Sequence, residues 1–181
     1  DGWSTLSSDA IVGIRVLSTS ISVTGGVNIW NNTVNLFGSI ARSGATADKN
    51  ACLYIQNTSV GNDVRNNIFV NSLENTTGVS TSYAIATDAT SSPFALINNN
   101  AYCVSGNEGI LGFYNASNIT TLAAWQTATT QDAQSILLCP VFVSNTDLHL
   151  TSASTNAPLL CGGANIPNVT NDIDCESKKV T

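Results

Sequence analysis

Few side chains in this chain could do acid–base chemistry. The basic residues are Arg15, Arg42, Arg65, Lys49, Lys178 and Lys179, and His149 is the single histidine. Removing a proton next to a carboxylate needs a base, commonly with Ca²⁺ on acidic ligands to stabilise the anion. Arg65 and Lys49 are the candidates, but no aspartate cluster recurs one repeat away, so both read as solvated strand residues. Hydrolysis by paired carboxylates needs two acids in close array. Asp172 and Asp174 are such a pair, in a terminal stretch where aspartate reads as a turn former. His149 lies between Leu148 and Leu150 and should face outward, with no Ser–His–Asp arrangement around it. No catalytic, cofactor-binding or metal-ligating residue is therefore assigned.

The cysteines are Cys52, Cys103, Cys139, Cys161 and Cys175, none in a C-x-x-C pair. Some suit a buried thiol in an apolar core. A Cys161–Cys175 disulfide is the alternative, closing a short C-terminal loop and contributing about 3 kcal/mol.

What would position all of these residues is a repeated phrase: an aliphatic residue, any residue, two asparagines, any residue, a large apolar residue. It occurs as Ile29-Trp30-Asn31-Asn32-Thr33-Val34, as Val64-Arg65-Asn66-Asn67-Ile68-Phe69 and as Ile97-Asn98-Asn99-Asn100-Ala101-Tyr102. The second asparagine advances from 32 to 67 to 100, by 35 and then 33 residues. Such a period marks a stacked repeat. A tight corner between strands favours a left-handed residue, which asparagine tolerates. Stacking sets corner over corner about 4.8 Å apart, so carboxamides can bond along the stack. Asn31, Asn32, Asn66, Asn67, Asn99 and Asn100 are thus expected to be structural, with ligand binding the minor alternative.

A second strand type recurs as Ala51–Ile55, Ser82–Ala86 and Gly109–Tyr114. The polar stretches 38–50, 72–81 and 87–93 are expected to be loops leaving the stack. Residues 119–129 break the pattern and predict one short helix, N-capped by Asn118 or Thr120. Short strands are expected at 136–138, 141–143 and 148–150, and Trp125 as a packing lid. The whole is expected to be one domain, with repeating coils over 1–118 and a helix plus C-terminal coil or cap over 119–181.

Charged residues are 10% of the chain and the net charge is −6. Asparagine (22) and serine plus threonine (42) take the surface role, which suits strands joined by amide and hydroxyl turns. Six basic residues assemble no nucleic-acid patch and no dock for an anionic membrane. No apolar run is long enough to span a bilayer. With no methionine and no signal peptide, the chain reads as an excised piece of a longer protein.

The phrases Asn31–Ser39 and Val64–Asn71 resemble rungs of right-handed parallel β-helix proteins. The nearest likeness is to the pectate-lyase-like β-helix regions of large secreted and surface proteins of Bacteroidetes-type bacteria. The tail phrases Leu122–Gln126, Gln131–Ile136, Pro140–Val143, Asp147–Thr151, Asn156–Leu160 and Asn171–Asp174 follow in that family's order. The resemblance implies an all-β, right-handed parallel β-helix solenoid located outside the cell or on its surface. The repeat, the scarcity of bases and the Asn/Ser/Thr surface favour a non-catalytic structural or adhesive module, with surface glycans or other cell surfaces as expected partners. The alternatives are a carbohydrate-binding or polysaccharide-cleaving module, and a subunit that self-associates end to end. Cys139 stands where the family pattern has Asp, and Cys175 where it has Gly. That paired change implies Cys139–Cys175 as a rival cross-link.

Overall fold

A computed structural model describes residues 10–17, 23–41, 49–77, 80–160, 162–167 and 169. The chain is a parallel β-solenoid whose coils repeat one strand order. The first coil is β1 (Val12–Val16), β2 (Val23–Thr24), β3 (Asn28–Trp30) and β4 (Thr33–Ala41). The second is β5 (Lys49–Ile55), β6 (Ser59–Val60), β7 (Asn62–Arg65) and β8 (Ile68–Thr77). The third is β9 (Thr81–Thr87), β10 (Phe94–Asn98) and β11 (Ala101–Val104). The last holds β12 (Gly109–Tyr114), β13 (Ser117–Ile119), helix α1 (Leu122–Thr129) and β14 (Ile136–Leu137).

Like strands stack in parallel to make three long faces. The first face runs β1-β5-β9-β12, the second β3-β7-β10 and the third β4-β8-β11-β14. Ala51, Tyr83 and Ile110 fall in one register column, so the second strand type expected from sequence forms the first face. Each face sends one side inward. Ile29, Val64 and Ile97 form one inward column, and Val34, Phe69 and Tyr102 another. The Phe69 and Tyr102 rings lie 6.2 Å apart at 29°. Parallel strands on a closed coil bury apolar side chains one above another, and this burial is the main stabilising term.

Two expectations need correction. Positions 38–41, 49–50, 72–77, 81 and 87 are strand, not loop: β4 and β8 stay paired from Thr33↔Ile68 to Ala41↔Thr77, and β5 and β9 from Lys49↔Thr81 to Ile55↔Thr87. Side-chain hydroxyls support this polar extension, Ser72 Oγ donating to Leu36 O and Thr76 Oγ1 to Ile40 O. The helix cap is Thr121, whose Oγ1 accepts from Ala124 N at 3.2 Å, and neither Asn118 nor Thr120. The start is displaced because Ser117–Ile119 folds back antiparallel on β12, and Asn118 Oδ1 accepts from Tyr83 Oη instead.

Of the three tail strands expected, only 136–137 is a strand, β14; 141–143 and 148–150 form none, being joined only by the single antiparallel bridge of Phe142 to Leu150. Buried Asn156 gathers this loop, its Nδ2 donating to Val141 O and Thr151 O while its Oδ1 accepts from Val141 N. A 3₁₀ turn covers Ser154–Leu159.

Candidate functional site: the asparagine corner and its cap

The repeated asparagines stand where the second face turns into the third. The first of each pair is left-handed, with φ of 57° at Asn31, 58° at Asn66 and 57° at Asn99. That conformation costs an ordinary residue about 1–2 kcal/mol and costs asparagine less. The sharp turn sends the second asparagine inward and leaves the first outside.

The inner row is a continuous amide ladder. Asn32 Nδ2 donates to Asn67 Oδ1 at 2.9 Å, and Asn67 Nδ2 donates to Asn100 Oδ1 at 3.0 Å. Each acceptor oxygen also takes the backbone N–H of the asparagine in the previous coil, at 3.0 Å in both cases. The Nδ2 groups further bond strand carbonyls, Ile29 O and Arg65 O for Asn67 and Val64 O for Asn100. Asn67 and Asn100 are fully buried, yet both make a full set of bonds, which keeps their burial cheap.

At the C-terminal end the ladder passes to other residue types. Asn100 N donates to Ser135 Oγ at 2.7 Å, and Asn100 Nδ2 reaches Asp132 Oδ1 at 3.5 Å. Asp132 is buried, and its carboxylate also takes Tyr102 Oη at 2.7 Å, Trp125 Nε1 at 2.9 Å and the Ser135 hydroxyl. Burial drives its carboxyl above the ordinary aspartate value, although those four donors oppose the shift. Burial also pushes the Tyr102 phenol up, and the Asp132 charge adds to it. Trp125 is the lid expected from sequence. It is fully buried and packs edge-on to Phe94 and Tyr114. Gly112 makes room for it, since a Cβ there would lie 2.7 Å from the indole ring.

The outer row holds the tail. Asn66 Nδ2 donates to Ala164 O and Ala164 N donates to Asn66 Oδ1, both at 2.8 Å. Asn66 Nδ2 also reaches Asn31 Oδ1 at 3.2 Å, and Asn99 Nδ2 reaches Gly162 O at 3.4 Å. Farther along, Asn35 Nδ2 donates to Asn145 O.

Cys103 and Cys139 form a disulfide, which excludes the Cys139–Cys175 pairing. It joins adjacent coils on the outside of the third face, next to the Leu138 N to Tyr102 O bond. A usable signal was present: 36 residues separate the two cysteines, close to one repeat of the asparagine phrase. Cys52 is a free, buried thiol, pushed strongly up by desolvation. Cys161 and Cys175 lie outside the described residues, as do Asp172, Asp174 and Arg42.

The candidate bases are spoken for. Arg65 grips Asp63 through Nε at 2.7 Å and Nη2 at 2.6 Å, and its guanidinium lies 5.6 Å from the Trp30 ring. Burial would raise the Asp63 carboxyl, but Arg65 holds it below its usual value, and Asp63 in turn raises Arg65. A guanidinium so paired takes no proton from a substrate. Lys49 Nζ lies 3.2 Å from Asp88 and 4.4 Å from the Phe113 ring centre. Asp88 also takes the Tyr54 hydroxyl, whose pKa rises to about 12 through burial and then through that carboxylate. Each base thus lies against a single carboxylate. His149 is outward, 66% exposed, with Nδ1 2.5 Å from Asp147. Among the described residues no group of three or more His, Cys, Asp or Glu could hold a metal ion.

No protein family, curated protein or solved structure matches the chain.

Proposed function

We propose that this chain is a non-catalytic structural or adhesive module of a large secreted or cell-surface protein, with the bacterial origin implied by the β-helix resemblance. The inner asparagine ladder is the observation that carries the reading. The inner asparagines bond to one another and to strand carbonyls, and at the last coil to Asp132 and Ser135, so they hold coils in register and leave shape as the product. A disulfide persists in oxidising compartments, which agrees with a place outside the cell. No helix among the described residues is long and apolar enough to cross a membrane.

The cleaving alternative has no observation in its favour, because Arg65 and Lys49 are each tied to a single carboxylate. Incubating the folded chain with oligogalacturonate and Ca²⁺ tests this. The structural reading expects no unsaturated product, and product formation lost in Arg65→Ala or Lys49→Ala would overturn it. A glycan array then separates the adhesive form, which expects sugar ligands, from a plain spacer.

A further inference from the structure

We propose that the outer asparagine row is a main-chain binding site, and that the matching tail segment of a second copy of this chain is its partner in trans. In this chain its own tail fills the site. The Asn66 carboxamide and Ala164 exchange two hydrogen bonds, N–H to Oδ1 and Nδ2–H to C=O, each 2.8 Å. A carboxamide presenting both groups this way imitates the rung of a β-ladder. Two residues earlier, Gly162 O accepts from Asn99, the next asparagine of the row. Gly162 and Ala164 therefore face the row, with a bend at Gly163 between them.

Everything the row reads is main chain. Between the two contacts Gly163 lies over the Asn66 carboxamide, where a Cβ would stand 3.1 Å from Cγ and 3.2 Å from Nδ2. The fit is thus closest for a bent segment with glycine at its centre, since a larger residue would have to push the Asn66 carboxamide aside. Two residues beyond Ala164, Ile166 is 4% exposed and supplies an apolar anchor.

The tail has one exposed joint. Before residue 156 it is fastened to the coils by the Cys103–Cys139 disulfide and by Asn35 to Asn145, and the Asn156 bonds close its own loop. Leu160, Gly162 and Gly163 are then exposed, and the clamp follows. A neighbour's segment could make the same bonds without disturbing either solenoid. Side-by-side exchange suits this molecule better than end-to-end stacking, because Trp125 fills the C-terminal end of the interior.

The test uses two full-length variants with complementary defects. Asn66→Gly removes the carboxamide and tolerates the positive φ. Gly163→Val leaves the row intact and spoils the tail. Each alone is expected to sediment as a monomer with wild-type circular dichroism, and their equimolar mixture is expected to give a one-to-one dimer. A mixture that stays monomeric at hundreds of micromolar overturns the proposal. So does a dimer that forms equally well when the Asn66→Gly copy is replaced by one carrying both substitutions. Should Asn66→Gly not fold, Asn66→Asp takes its place, keeping the acceptor and losing the donor.

Discussion

Asn67 and Asn66 are neighbours in sequence, and the corner sends them to opposite sides of the wall. Asn67 is buried and completes bonds to the coil on either side. Asn66 is left-handed and half-buried, and its strongest contacts are with a tail segment 98 residues away. The same amide chemistry thus fixes register on the inside and holds a strap on the outside. Burial makes the difference. An inner carboxamide that loses its partners has no water to replace them, whereas an outer one does.

The largest expected effect follows from that difference. Asn67→Ala would remove the acceptor of the Asn32 N–H and Nδ2 groups and the donor to Ile29 O, Arg65 O and Asn100 Oδ1. It should cost about 4 kcal/mol, against about 1 kcal/mol or less for Asn66→Gly. Urea midpoints with unchanged slopes would measure both, and equal losses would erase the distinction.

Next comes the end of the inner row. Trp125→Phe removes the N–H that reaches Asp132 and part of the ring between Phe94 and Tyr114. A loss of about 2 kcal/mol is expected in the same titration.

The pH dependence sharpens the contrast between the buried end and the surface. Asp132 has a raised pKa when folded, so the folded state binds its proton more tightly than the unfolded chain does. Its contribution is complete below the unfolded value, about 3.9, and is lost as pH rises through the folded value. Asp63 and Asp147 are lowered and act in the opposite sense, their contribution fading as pH falls through their folded values. The readout is therefore a difference. Asp132→Asn should remove a downward slope of stability with pH above about 3.9 that the wild type shows. Parallel curves would mean that Asp132 titrates as it does in the unfolded chain.

The smallest effect is a gain. Asn115 and Ala116 both have positive φ in the two-residue turn between β12 and β13. Alanine carries a Cβ penalty there, and Ala116→Gly should raise stability by about 0.5–1 kcal/mol in a thermal melt. A loss would place the strain elsewhere.

Much of the inside was readable in the sequence, because a repeat writes its register into its spacing. The asparagine phrase located the corner, and the aliphatic positions beside it located two core columns. It left the roles of the two asparagines undivided, since only the backbone turn decides which one faces in. Asp132 and Ser135 escaped because the cap continues the ladder with different residue types. The polar ends of β4 and β8 escaped for the opposite reason: strands that pair beyond the core need no apolar side chains, so they resemble loops. The disulfide is written in the spacing of Cys103 and Cys139, which is close to one repeat, although of the two only Cys139 departs from the family pattern.

The central claim is that the inner carboxamides are the spine of the stack. Native-state hydrogen exchange of the side-chain amides tests it most directly. The Asn67 and Asn100 carboxamide protons should exchange only with global unfolding, while those of exposed Asn57 exchange freely. Exchange of Asn67 and Asn100 at the rate of Asn57, in a protein that remains folded, would contradict it.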